Sequence, residues 1–194
     1  MDYTADNVRA YLERVRAMLA TLDTGAVAAA AGVLLEAYAG GRTVFVCGNG
    51  GSASTASHMA ADLGKNTVAP GRPRLRVLSL NDNMAWFSAL ANDLGYENVF
   101  VEQMENLLQP GDVLVALSAS GDSANVVRAA EFARAHGGRV VALVGFTGGR
   151  LLALADVAVH LRCDAYGPVE DGHLILTHVF TDAIRARIGE GGGA

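Results

Sequence analysis

Two pairs of residues have the types and spacing of a metal or acid–base site. His58 and Asp62 stand four apart, so on a helix they share a face and reach one ion together. Glu170 and His178 stand eight apart, slightly over two turns, and are read as sharing a face of a second, mostly apolar segment, while Asp171 and His173 turn away from it. Any one of these histidines alone would read as a surface or core residue. Paired, they give two helices that each offer one imidazole and one carboxylate. Four nitrogen and oxygen donors without a thiolate suit Zn2+, with manganese or iron as alternatives. A third stretch, Leu117-Ser-Ala-Ser-Gly-Asp-Ser123, brings the hydroxyls of Ser118, Ser120 and Ser123 to the start of a helical pattern, Ala124 to His136. The N–H groups at a helix start carry partial positive charge, and hydroxyls add donors, so this segment reads as a phosphate cradle without a cation. Lys65, three residues past Asp62, is either a surface lysine or a cation for a phosphate or oxyanion. His136 and His160 read as structural or exposed.

The elements that must position these groups follow from hydrophobic periodicity. Val8, Tyr11, Leu12, Val15, Met18, Leu19 and Leu22 recur at helical spacing. Gly25 breaks that pattern before a second helix, Val27 to Tyr38, which Gly40-Gly41 stops. Five apolar runs then alternate with helices: Thr43 to Cys47, Leu75 to Leu80, Val113 to Leu117, Arg139 to Val144 and Val157 to Leu161. Helices are expected from the Gly48–Ser52 turn to about Gly64, over Met84 to Asp93, over Asn98 to Leu108, and from about Val169 to Ile188. Asn66 to Arg74, with two prolines, reads as a mobile loop. Alternation with continuous apolar strands predicts an α/β fold: a three-layer, flavodoxin-like, five-stranded parallel sheet flanked by helices. One domain is expected over 1–194, with residues 1–40 as N-terminal helices serving oligomerisation, 41–188 as the core and 189–194 as a disordered tail. In such sheets ligands bind at the carboxyl ends of the strands, where both glycine- and serine-rich turns fall.

Composition narrows the function classes. The chain is 51% hydrophobic and 18% charged, with a net charge of −5, which permits a large core. The densest basic group is Arg72, Arg74 and Arg76, so nucleic acid is not expected as a partner. Cys47 and Cys163 form no CxxC motif or disulfide framework, and Cys47 reads as a small core residue. No apolar run reaches membrane-spanning length, about 18 residues, and the acidic start, Met1 to Asp6, lacks a basic leader region. A cytoplasmic protein without a membrane partner is expected.

Gly48-Asn-Gly-Gly-Ser52 alone matches only part of the dinucleotide fingerprint G-x-G-x-x-G, lacking its third glycine. Together with Ser118-Ala-Ser-Gly-Asp-Ser-Ala-Asn125, however, it resembles the sugar isomerase (SIS) domain, whose hallmark is GNGGS after one strand and SxSGxSxN after another. The resemblance covers essentially the whole chain and is closest to the phosphoheptose isomerases. Ala91-Asn-Asp-Leu-Gly-Tyr96, Gly145-Phe-Thr-Gly-Gly149 and the final helix match as well. The resemblance implies that Ser118, Ala119, Ser120 and Ser123 take a phosphate. It implies that Asn49, Gly50, Gly51 and Ser52, with Asn92 and Asp93, hold the sugar. It also implies a homotetramer whose pockets draw on more than one subunit.

The family carries His and Glu on the first site helix and Gln and His on the last. Here Asp62 replaces the Glu and Glu170 the Gln. Asp is one methylene shorter, a displacement of roughly 1.5 Å, while Glu170 adds a negative charge that favours a divalent metal held by His58, Asp62, Glu170 and His178. The implied reaction is aldose–ketose isomerisation of sedoheptulose 7-phosphate through an enediol. It would yield D-glycero-D-manno-heptose 7-phosphate or its C2 epimer. A carboxylate, Asp62 or Glu170, working with His178, is the expected base, and Glu170 also falls among the substrate contacts. Two alternatives stand beside this reading: a non-catalytic sugar-phosphate binder or adaptor, like the DnaA initiator-associating protein, and an isomerase of another sugar phosphate.

Overall fold

The computed structural model describes residues 2–190. Its centre is a parallel sheet of five strands: β1 (Thr43–Cys47), β2 (Arg76–Ser79), β3 (Val113–Ser118), β4 (Arg139–Val144) and β5 (Val157–His160). Around it run helices α1 (Ala5–Ala20), α2 (Thr24–Ala39), α3 (Gly51–Lys65), α4 (Met84–Leu94), α5 (Val101–Leu107), α6 (Ala124–Ala135), α7 (Gly149–Leu154) and α8 (Tyr166–Glu190). Side chains alternate across a strand. Val44, Val46, Val115 and Leu117 therefore pack with Val27, Leu34, Met59 and Phe180 from α2, α3 and α8. Phe45, Cys47, Leu114 and Ala116 pack on the other face with Met104, Val126, Ala130 and Leu151 from α5, α6 and α7. A sheet buried on both faces needs continuously apolar strands, and β3 is buried at every position.

The strand order is β2-β1-β3-β4-β5. The chain leaves β1 for one side of the sheet and later lays β3 on the other. The loops after β1 and β3 therefore splay apart at the switch point and open a crevice. Those loops are Gly48 to Ser52 and Ala119 to Ser123.

Several sequence expectations need correction. The break between the first two helices falls at residues 21–23 and not at Gly25, which lies in the first turn of α2, because Asp23 caps that helix by accepting from the N–H groups of Gly25 and Ala26 at 2.9 and 3.1 Å. The last helix starts at Tyr166, ahead of Pro168, since a proline in the first turn lacks only an N–H that would have no helical partner. It also continues through Gly189 and Glu190, which were expected in a disordered tail; 191–194 lie outside the described residues. The segment from Asn98 to Leu108 divides into a 3-10 turn, Tyr96–Asn98, and α5. On α1 only Met18 is buried, while Val8 and Leu12 of its apolar stripe are 46% and 60% exposed. Among the described residues no single helix is long and apolar enough to cross a membrane.

Candidate active site

At the end of β3 the chain turns through Gly121 at φ +72°. A Cβ there would run into the Gly148 carbonyl, so the turn requires glycine. The Ser118 hydroxyl accepts from the Gly121 N–H at 3.1 Å and stands 3.3 Å from the Ser123 hydroxyl and 3.5 Å from that of Ser120. Ser123 precedes α6 and Gly50 precedes α3, yet neither offers its helix a side-chain cap. By contrast, α2 and α4 are capped by the side chains of Asp23 and Asn83. α3 and α6, both without a side-chain cap, start at one cavity of about 110 Å3, whose lining includes Asn49, Ser52, Ser118, Ala119, Ser120 and Ser123. First-turn N–H groups of two helices and a group of hydroxyls therefore meet there, a neutral donor field for one anion.

Tyr166 and Glu170, from the start of α8, close this cavity. The Glu170 carboxylate lies against Gly51, where a Cβ would overlap it. Tyr166 packs on Phe146 with ring centroids 4.9 Å apart. Phe146 is the one described non-glycine residue in the left-handed region, at φ +46°. Such strain, on the order of 1–3 kcal/mol, collects at functional sites.

The second group lies where α3 packs on α8. Asp62 Oδ2 stands 3.4 Å from His58 Nε2 and 3.7 Å from His178 Nε2, and the two imidazole nitrogens are 3.4 Å apart. Metal bonds of about 2.1 Å place the corners of a tetrahedron about 3.4 Å apart. The three atoms thus form a triangle of the size of one tetrahedral face, and they could hold a divalent ion. Asn66 donates to Asp62 Oδ1 at 2.8 Å, which turns Oδ2 toward the histidines. The side chain of Asp62, though short, reaches both imidazoles. Both imidazoles are about half exposed, at 44% and 54%, and the adjoining cavity of about 400 Å3 is open.

Glu170 is not brought to this group within one chain. Eight helical residues separate it from His178, about 12 Å along the axis, far more than one ion spans. Lys65 is exposed in the last turn of α3, roughly 20 Å along that helix from Ser52, so it does not serve this chain's serine cavity. Asn92 and Asp93 are exposed near the end of α4; the Asn92 amide donates to Asp93 at 2.7 Å, and neither lines the serine cavity. Cys47 is a core residue, and burial pushes its thiol up. His173, left open by sequence, is fully buried on α8; neither ring nitrogen has a hydrogen-bond partner, and burial lowers its pKa to about 4. His136 stacks on Phe132, and His160 Nε2 lies 2.9 Å from the Phe146 carbonyl. Tyr11 donates to Asp171 at 2.5 Å, tying α1 to α8. That hydrogen bond, then burial and the carboxylate charge, raise its hydroxyl to about 12.

Sequence reasoning missed Asn66, Tyr96 and Tyr166. Asn66 follows Asp62 at helical spacing, the same signal that paired Asp62 with His58. Tyr96 lies inside a motif already singled out, and its hydroxyl reaches Asn49 at 2.9 Å.

The SIS domain family model matches residues 5–145. A lincomycin biosynthesis protein, LmbN, of Streptomyces lincolnensis is 46% identical over 160 residues, 79% of this chain and 58% of that protein, so the chain spans little more than half of that relative. A phosphoheptose isomerase of Mycobacterium tuberculosis is 38% identical over 151 residues, 78% of this chain and 76% of its own length. The solved structure of a phosphoheptose isomerase from Francisella tularensis superimposes with a TM-score of 0.88 at 28% identity, covering 95% of this chain and all of the other.

Proposed function

The chain belongs to the SIS domain family, and on that premise we propose that it interconverts sedoheptulose 7-phosphate and an aldoheptose 7-phosphate. The observation that carries this reading is the pairing of a cation-free phosphate cavity with a cluster of two histidines and a carboxylate further along the same two helices, α3 and α8. A binder or adaptor needs the first and has no use for the second.

The serine cavity anchors the phosphate through Ser118, Ser120 and Ser123 and the open first turns of α3 and α6. Asn49 faces the sugar from the cavity rim. A base takes a proton from C1 of the ketose, the electrons form the C1–C2 double bond of the enediol, and O2 gains a proton. The proton then returns at C2 as O1 gives up its own. Asp62 has Oδ1 bonded to Asn66 and Oδ2 turned to two imidazoles, whereas Glu170 faces the cavity; this supports Glu170 as the base and Asp62 as an ion ligand. His58, Asp62 and His178 would hold a divalent ion, zinc by the donor set, and that ion would supply Lewis-acid stabilisation of developing oxyanion charge. The product is D-glycero-D-manno-heptose 7-phosphate or its C2 epimer, according to which face of the enediol meets the base.

The same separation of Glu170 from His178 supports a site completed between copies, with Glu170 of one chain beside the cluster of another in a homotetramer. The exposed stripe of α1 and an apolar cavity of about 500 Å3 between α2 and α8, lined by Leu22, Val27, Leu35, Ile175 and Val179 among others, support that assembly. Higher identity to a protein of lincomycin biosynthesis than to the mycobacterial isomerase supports a secondary metabolite as the destination of the product. Two free cysteines suit a reducing cytoplasm.

The test is incubation of the full chain with sedoheptulose 7-phosphate in D2O, followed by NMR, with and without EDTA. Aldose with deuterium at C2 is expected, and the couplings at C2 and C3 give its stereochemistry. Absence of both aldose and deuterium ends the isomerase reading. Undiminished turnover after complete metal removal ends the metal portion. Deletion of residues 1–22 is expected to abolish assembly and activity together.

A further inference from the structure

The GNGG turn and the serine loop are joined by a side-chain clamp whose polarity can be read. The Val126 backbone N–H is a donor and cannot be otherwise; it donates to Asn125 Oδ1 at 3.0 Å, which fixes the orientation of that amide. Asn125 Oδ1 also accepts from Asn49 Nδ2 at 2.8 Å, and Asn125 Nδ2 donates to Asn49 Oδ1 at 2.9 Å. The orientation of Asn49 follows from that of Asn125. Tyr96, at 2.9 Å from Asn49 Oδ1, must then be the donor. Asn125 is 2% exposed, so the clamp is anchored in the protein interior, and Tyr96 reaches it from the surface. Tyr96 is itself held edge-on by Phe87 at 5.8 Å.

A carboxamide oxygen has two lone pairs, and Asn125 and Tyr96 take both. The amide nitrogen has two hydrogens, and Asn125 takes one. We propose that Tyr96 and Asn125 are positioning residues that hold the Asn49 carboxamide as a hydrogen-bond donor only, its remaining Nδ2 hydrogen pointing to a ligand oxygen that accepts. Asn49 lies on the ridge between the serine cavity and a second cavity of about 370 Å3 lined by Met84, Phe87 and Tyr96, where the polyol part of a bound sugar phosphate would pass. A clamped donor selects a hydroxyl or carbonyl oxygen presenting a lone pair and rejects a group that must donate. It also ties the segment after α4 to the helix that starts the phosphate cradle, so the sugar contact and the phosphate contact keep a fixed spacing.

The identity of the ligand rests on the sugar-phosphate reading above; the clamp does not. The test uses the full-length protein with Tyr96→Phe and Asn125→Ala, measuring kcat and KM for sedoheptulose 7-phosphate and the inhibition constant of inorganic phosphate. Each lost bond is expected to lower kcat/KM by about threefold to tenfold, more in Asn125→Ala, with the phosphate constant moving by less than about twofold. A merely structural role would weaken both ligands alike, and that result overturns the proposal. So does unchanged kcat/KM in Tyr96→Phe, which removes one exposed hydroxyl and leaves the fold intact whatever Asn125→Ala does. Side-chain amide NMR of the ligand-free protein decides the clamp independently. The Asn49 and Asn125 NH2 groups are expected to exchange slowly and disperse, and Asn49 to shift in Tyr96→Phe. Random-coil positions in the unsubstituted protein overturn the clamp, whereas a dispersed pair in a protein that turns over no sugar phosphate supports the clamp and ends only the functional reading.

Discussion

Two regions along the α3–α8 pair do different chemistry with different materials. At the end where both helices begin, the serine cavity is made of backbone N–H groups and hydroxyls, with Glu170 as the only charged side chain among its lining residues. Further along the same helices, His58, Asp62 and His178 form a site of three titratable side chains, the imidazoles about half exposed and Asp62 largely shielded beneath them. The first is redundant: several weak donors share one anion. The second has no spare part, because each side chain supplies one corner of a triangle. Losses should therefore be graded at the cavity and severe at the cluster.

The largest expected effect tests the cluster. His178→Ala and Asp62→Asn should each lower kcat roughly 10^3-fold, in the range of lost acid–base or metal catalysis. The inhibition constant of inorganic phosphate should stay unchanged, since the cavity is built from other residues. A cluster substitution that weakens phosphate equally would show that the cluster takes part in holding the phosphate. Zinc retained by dialysed protein should fall with activity in both variants.

The next effect acts on both regions at once, through the helix that carries them. His173 lies between Glu170 and His178 on α8, fully buried and without a hydrogen-bond partner. Its pKa is lowered from the usual 6.5 to about 4 by burial, so the folded protein keeps it neutral. The unfolded chain binds that proton below 6.5. Stability from this group is therefore complete above pH 6.5 and lost as pH falls toward 4, by at most about 3 kcal/mol. His173→Leu removes the titration. Urea unfolding at pH 7.5 and pH 4.5 should show a smaller acid loss in the variant, with carboxylate titrations common to both proteins cancelling. If activity falls in acid equally in both proteins while the unfolding of His173→Leu is less sensitive to acid, the acid loss of activity belongs to the site and not to the fold.

Legibility followed the same division. Parallel strands buried on both faces announce themselves as apolar runs; all five expected strands agree with the observed ones within one residue at each end. The serine loop was readable because its donors are contiguous: a strand end, a glycine turn and a helix start fall in seven residues. The cluster was half readable. His58 and Asp62 are joined by helical spacing alone, but their meeting with His178 depends on how α3 crosses α8, which no local pattern contains. Glu170 shows the limit. Spacing made it a plausible companion of His178, yet a rise of 1.5 Å per residue carries it to the cavity instead. The Asn49–Asn125 amide pair spans 76 residues of sequence, and His173 shows nothing in sequence to distinguish a buried unpartnered imidazole from a ligand.

The smallest effect tests redundancy in the cavity. Ser123→Ala removes one hydroxyl and leaves the α6 first-turn N–H groups in place, because the Ser123 side chain caps nothing. Both KM and the phosphate inhibition constant should rise by about threefold, one net hydrogen bond, with kcat unchanged. Ser118→Ala should cost more than Ser123→Ala, since the Ser118 hydroxyl also accepts from the Gly121 N–H and so shapes the turn that presents the other donors. A thousandfold loss in Ser123→Ala would mean that the hydroxyl, and not the helix ends, holds the phosphate. The cavity would then be as intolerant of substitution as the cluster, and the absence of caps on α3 and α6 would need another cause.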